Sequence, residues 1–196
     1  MHSHVLARTL IAAGTLLATI AAAGANSPFD PDGRWDGGSP SRGPYGGSSP
    51  IARATVSYPG SYKPGTIVIS TAERRLYYVV GDGQAIRYGI GVGRVGFTWS
   101  GVKTVTAKRE WPDWTPPSDM LRRRPDLPRH MKGGVENPLG ARAMYLGGTL
   151  YRIHGSNEPE TIGQAVSSGC FRLTNEDVID LYSRVKVGAT VIIRQQ

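Results

Sequence analysis

Residues 154–175, HGSNEPETIGQAVSSGCFRLTN, hold the only cysteine of the chain, Cys170, and a histidine sixteen positions before it, His154. Cysteine reacts as its thiolate, and a neighbouring imidazole is a common means of forming one near neutral pH. The two residue types together point to nucleophilic acyl transfer. Such a site needs a base within reach of the sulfur, a group that orients the base, and N–H donors aimed where an oxyanion develops. His154 is the candidate base, because His2 and His4 fall in an apolar leader and His130 in a long proline-rich segment. Gly155 follows it, and either a backbone carbonyl or the Ser156 hydroxyl is expected to hold the ring. A histidine satisfied as a structural side chain is the open alternative. A glycine just before the nucleophile removes Cβ obstruction, so Gly169 and Cys170 are the expected oxyanion donors. Arg172 is two residues beyond Cys170 and shares its strand face, where a bidentate pair with a substrate carboxylate is possible. A surface ion pair with Glu176 or Asp177 competes with that expectation.

Strands ending at the site and a helix leaving it must position these groups. From about Ile51 the sequence reads as short β runs separated by turn residues. Runs are expected at 66–70, 74–80, 84–92, 101–111, 141–146, 149–154 and 187–194, with a hairpin turn at Gly81-Asp82-Gly83. The run 149–154 delivers His154 at its end. A helix is expected over 174–185, where Thr174 and Asp177 resemble a capping box and Val178, Leu181, Tyr182 and Val185 form one stripe. Residues 112–138 form a long loop with a possible helical turn at 118–124. A loop of that length in a compact domain is usually functional. Trp111, Trp114, Pro116 and Pro117 are expected either to wall a site or simply to cover the sheet. Gly91, Gly93 and Gly96 match the spacing of a dinucleotide loop, but β-type sequence follows where a helix should open, so a strand end and turn is expected.

The first 25 residues read as a secretory signal, with cleavage expected after Ala25; the apolar run is short for a spanning helix. Residues 26–50 contain 16 Gly, Pro or Ser and almost no aliphatic side chains, the composition of a flexible linker. A catalytic domain over 51–196 remains, with no membrane span expected once the signal is removed. Export points to a periplasmic or cell-wall location, where a lone thiol is a liability unless it is used. The formal charge is +8, which suits anionic envelope polymers. The arginine run 122–124 lacks the aromatic platform of a nucleic-acid binder, so no nucleic-acid partner is expected.

The stretch resembles the L,D-transpeptidases, whose pattern is His-Gly-(Ser/Thr/Asn), about fourteen residues, then Ser-x-Gly-Cys-hydrophobic-Arg-x-x-Asn. The matching residues are HGSN at 154–157, IG at 162–163 and SSGCFRLTN at 167–175. The likeness extends from about Gly65 to Arg194. It implies a mainly β fold of two curved mixed sheets, sandwich or barrel-like, with one main helix near the C-terminus. The implied reaction is cysteine acyl transfer on peptidoglycan stem peptides, with no metal or other cofactor. Cys170 would attack the carbonyl of the third stem residue and expel a terminal D-alanine. An acceptor amine on another stem or on an outer-membrane protein would then take the thioester. Members of the family are acylated by carbapenems.

Carried over by position, Cys170 is the nucleophile, His154 its base and Gly169 with Cys170 the oxyanion donors. Gly155, Ser156, Ser168, Arg172 and Asn175 orient the site or bind substrate. Many members carry histidine where this chain has Ser168, which removes any role for a second imidazole. Hydrolysis by a carboxypeptidase or endopeptidase and a noncatalytic peptidoglycan-binding module are the rival readings. A papain-type protease fits less well, since its cysteine precedes its histidine. A monomer is expected.

Overall fold

The Asp82-Gly83 pair makes a two-residue turn and sets the first register. Both residues have positive φ, 51° and 68°, the requirement of a two-residue turn that matches strand twist. The turn joins β3 (Arg75–Gly81) to β4 (Gln84–Gly89) as an antiparallel hairpin. The computed structural model describes residues 48–195; the signal expected over 1–25 and the linker expected over 26–50, up to residue 47, lie outside them.

The hairpin is flanked by β1 (Ala54–Ser57) on β4 and β2 (Ile67–Ser70) on β3. β1 was not expected from the sequence; its four residues alternate between half-buried and exposed, too short a pattern to stand out. The final strand, β11 (Thr190–Arg194), enters beside β2 in parallel and pairs on its other side with β6 (Gly101–Glu110). β6 joins two halves of one sheet. Its first residues, Gly101 to Thr104, pair with β11, and beyond an irregularity between Val105 and Ala107 it pairs with β7 (Arg142–Leu146). A bulge of this kind bends a strand and raises its twist. The second half continues through β8 (Arg152–His154) to β10 (Phe171–Arg172), which is parallel to β8. A separate two-stranded parallel ladder joins β5 (Val92–Gly93) to β9 (Ala165–Ser167).

The architecture is mainly β, as the resemblance implied: a continuous nine-stranded mixed sheet in the order β1-β4-β3-β2-β11-β6-β7-β8-β10, whose two halves share β6, with one main helix near the C-terminus. Three expected strands are shorter than their apolar runs. The run 84–92 breaks at Gly89, because Gly91 leaves the hairpin and bridges Arg172. The run 149–154 begins only at Arg152, since Gly148 at φ 71° and the Thr149 hydroxyl on the Leu146 carbonyl (2.8 Å) make a turn. The run 187–194 begins at Thr190, after Gly188 at φ 95°.

The helix α2 (Asn175–Arg184; α1 is the short Ser118–Arg123 in the long loop) closes the core. Thr174 accepts a hydrogen bond from the Asp177 N–H at 3.2 Å, the N-cap expected from its position. Val178 and Leu181 have no exposed surface and Val185 only 2%. Burial of each contributes roughly 1.5–3 kcal/mol. Lys108 on β6 donates to the carbonyls of Tyr182 and Val185, both at 2.6 Å, and so satisfies the helix C-terminus with a cation. Tyr88 of β4, fully buried, donates to Asp180 at 2.5 Å and holds the helix from the other side. α2 thereby packs against β7, the neighbour of β8.

Candidate active site

β8 and β10 run side by side, with Ile153 opposite Phe171 and His154 opposite Arg172. His154 ends β8 and Cys170 immediately precedes β10, and both line one pocket together with Arg152 and Arg172. The long loop and its end supply part of the pocket lining. Trp114, Pro117, Met120 and Leu139 contribute from that side, and Trp114, Leu127 and Leu139 form a small core of their own. Of the residues expected as an apolar wall, Trp114 and Pro117 line the pocket; Trp111 does not.

The His154 ring is 5% exposed, and its Nδ1 lies 2.6 Å from the Gly155 carbonyl. A carbonyl only accepts, so Nδ1 carries the proton and Nε2 keeps its lone pair. Burial pushes the imidazole down to about 3 against the pull of the Gly155 carbonyl, and Arg172 and Arg152 push the same way. At neutral pH the ring is an uncharged base. Ser156 does not orient it: its hydroxyl accepts from the Glu158 N–H at 3.0 Å. Gly155 is needed because a Cβ there would lie 2.3 Å from Asn175 Oδ1 and 3.1 Å from Ala141 N. Asn175 is buried, accepts from the Ala141 N–H at 2.8 Å, and so ties the start of α2 to the strand entry beside His154. Its side chain acts behind the pocket, outside its lining.

Cys170 is half-buried, and burial raises its thiol, opposed first by the Arg152 charge. The loop before it is held from several directions. Ser167 Oγ donates to the Cys170 carbonyl at 2.6 Å and accepts from the Gly169 N–H at 3.2 Å. That Gly169 N–H, expected to face an oxyanion, is engaged within its own loop, and Cys170 N–H is the member of the expected pair without a hydrogen-bond partner among the described residues. Trp99 Nε1 donates to the Gly169 carbonyl at 2.8 Å while its ring stacks on Tyr151 at 4.7 Å. Gly169 has φ 108°, and a Cβ would meet the Tyr151 ring at 2.4 Å. Ser168 accepts from Arg94 Nη1 at 3.1 Å.

Arg172 pairs with neither Glu176 nor Asp177. It is 4% exposed and donates to Glu158 Oε2 at 3.1 Å, a buried ion pair with both side chains under one-tenth exposed. Asp177 instead faces Arg53 at 3.4 Å. The Nε and Nη2 of Arg172 are buried with no hydrogen-bond partner. Glu158 had no visible signal in the sequence; its pairing depends on the turn that Ser156 caps. The glycine run ends as a strand and turn. Gly93 approaches Phe97, where a Cβ would lie 2.3 Å from the carbonyl, and Gly91 backs onto Arg172. The run serves close approach to the site strands, and no helix follows it. Among the described residues no group of three or more His, Cys, Asp or Glu could hold a metal ion, and no helix is long and apolar enough to cross a membrane.

The chain is similar to known proteins over most of its described residues. Residues 64–193 match the family model of the L,D-transpeptidase catalytic domain (YkuD). The probable L,D-transpeptidase ErfK/SrfK of Escherichia coli K12 is 38% identical over 162 residues, covering 78% of this chain and 51% of that protein. The probable L,D-transpeptidase YcfS of the same strain is 40% identical over 137 residues, 65% of this chain and 43% of that protein. The chain thus spans about half the length of the curated relatives it matches. A crystal structure from Brucella melitensis, described as a probable carnitine operon oxidoreductase, is 48% identical, with a TM-score of 0.51 over 72% of this chain and 92% of that one. The L,D-transpeptidase of Mycobacterium smegmatis shares the fold at 20% identity and a TM-score of 0.53, over 66% of this chain and 58% of that one. On the family match and these identities, the chain belongs to the L,D-transpeptidase family.

Proposed function

We propose that the chain is an exported cysteine L,D-transpeptidase that acts on peptidoglycan stem peptides in the cell envelope. The observation that carries this reading is that the uncharged His154, at the end of β8, and Cys170, directly before the parallel neighbour β10, line one pocket. Cys170 Sγ attacks the carbonyl carbon of the third stem residue, and the thiol proton passes through His154 Nε2 to the departing amine. The C–N bond to the terminal D-alanine breaks, and a thioester remains. Cys170 N–H supports the oxyanion, and Arg172, held in a buried pair with Glu158, anchors the strand that follows the nucleophile. An acceptor amine, from a second stem or from an outer-membrane protein, then attacks the thioester carbonyl; the new C–N bond forms, the C–S bond breaks, and the amine proton passes through His154 to the departing Cys170 sulfur.

Incubation of the purified protein with tetrapeptide-stem muropeptides, read by mass spectrometry, tests the reading. Crosslinked dimers or exchanged terminal D-amino acids are expected, and neither with Cys170→Ala. Tripeptides alone would establish hydrolysis in place of transfer, and exchange that persists in Cys170→Ala would overturn the assignment.

A further inference from the structure

Strand register places an arginine closer to the nucleophile than the histidine is. Ile153 opposes Phe171, the first residue of β10; Cys170 lies one residue before that ladder, and continuing the register one step back along both parallel chains sets Arg152 beside it. Side chains alternate faces along a strand, and Arg152, His154, Cys170 and Arg172 all line the pocket. Directly opposed residues on paired strands are about 4.8 Å apart. Cys170 and His154 are diagonal, one strand across and two residues along, at about 8 Å between Cα atoms.

The two arginines of this face differ in their commitments. Arg172 is spent on Glu158 at 3.1 Å. Arg152 makes no ion pair among the described residues: its Nη1 donates to the Leu150 carbonyl at 3.0 Å, its guanidinium lies 5.1 Å over the Tyr145 ring, and its Nε is buried without a hydrogen-bond partner. The other charged groups around the pocket are Arg94 against Ser168, and Asp119 and Arg123 on α1. His154 is uncharged at neutral pH and so supplies no cation to the resting site. Burial raises the thiol, and the Arg152 charge is the first influence that draws it back.

We propose that Arg152 is a third catalytic side chain, whose guanidinium lies beside Cys170 at the start of the β8–β10 ladder and pairs with the thiolate as it forms. The inference rests on the reading of Cys170 as nucleophile. The S–H bond breaks, the proton goes to His154 Nε2, and Arg152 holds the sulfur's negative charge until the S–C bond forms. His154 then works as a neutral base, and the cation of the site is permanent.

The test is the rate of iodoacetamide alkylation of Cys170 against pH, followed by intact mass. Cys170 is the only cysteine, so the readout belongs to one atom. Loss of a cation beside a thiolate raises its pKa by about one to two pH units. The thiolate fraction falls about 10- to 100-fold, and the greater nucleophilicity of a more basic thiolate returns part of that. Arg152→Gln is therefore expected to alkylate about 3- to 10-fold more slowly at pH 8, with its midpoint displaced upward. Arg152→Lys is expected to stay within about threefold of the parent. Melting curves identify any variant that fails to fold; if Arg152→Gln does fail, the comparison passes to Arg152→Lys, and a natively folded Lys variant as slow as the Gln range predicts overturns the proposal. An unchanged midpoint in folded Arg152→Gln also overturns it, including the case where only KM for a tetrapeptide rises and Arg152 proves to be a substrate clamp. Alkylation needs no peptide, so its outcome is separate from whether transfer activity is found.

Discussion

The uncharged state of His154 has a consequence for stability that acid titration can measure. The ring is 5% exposed, and burial lowers its pKa from the ordinary 6.5 to about 3. Between those values the unfolded chain binds one more proton than the folded chain, so stability rises with pH there and is lost as pH falls. At pH 5 the unfolded imidazole is almost always protonated and the folded one almost never. The difference costs about 2 kcal/mol relative to pH 7.5, and it hardly changes for any folded value below about 4. Urea unfolding of the parent and of His154→Gln, at pH 7.5 and pH 5, isolates this contribution, because the carboxylates common to both chains cancel in the difference. Glutamine is uncharged throughout and keeps a donor for the Gly155 carbonyl. The parent is expected to lose about 2 kcal/mol more than the variant on acidification. Equal losses would mean that the folded ring titrates normally, and the neutral-base reading would fail.

Three further substitutions probe the scaffold around the site. Glu158→Ala strands Arg172 as a buried charge and should lower stability by about 3–5 kcal/mol in urea, with Glu158→Gln milder. Gly155→Ala drives a Cβ to 2.3 Å from Asn175 Oδ1; about 1–3 kcal/mol of destabilisation and at least a roughly tenfold loss of transfer are expected, since the strain falls beside His154. Thr174→Ala removes the cap on the Asp177 N–H and should cost about 1 kcal/mol with little change in transfer, by thermal melting and muropeptide assay.

The parts of this site that lie close in sequence were legible in it. Thr174 and Asp177 are three residues apart, and the Asp82-Gly83 turn is set by two residues, so local chemistry dictates both. His154, Gly169, Cys170 and Arg172 stood out by type and spacing. What escaped was every partner supplied from a distance. Trp99 reaches the Gly169 carbonyl across 70 positions of sequence, and Glu158 meets Arg172 across 14. Arg152 could be placed on the face of His154 by alternation alone, yet its place beside Cys170 depends on β8 and β10 being parallel in one particular register. The rival expectation for Arg172, a surface pair with Glu176 or Asp177, rested on nearness in sequence; the helix turns Asp177 toward Arg53 instead.

The measurement closest to the central claim is the intact mass of the protein after brief mixing with a tetrapeptide-stem donor and no acceptor. A Cys170-linked adduct heavier by the tripeptide acyl group, with free D-alanine released and the adduct absent in Cys170→Ala, is the predicted result. A natively folded parent that releases D-alanine while carrying no adduct on Cys170, or an adduct that survives in Cys170→Ala, would contradict it.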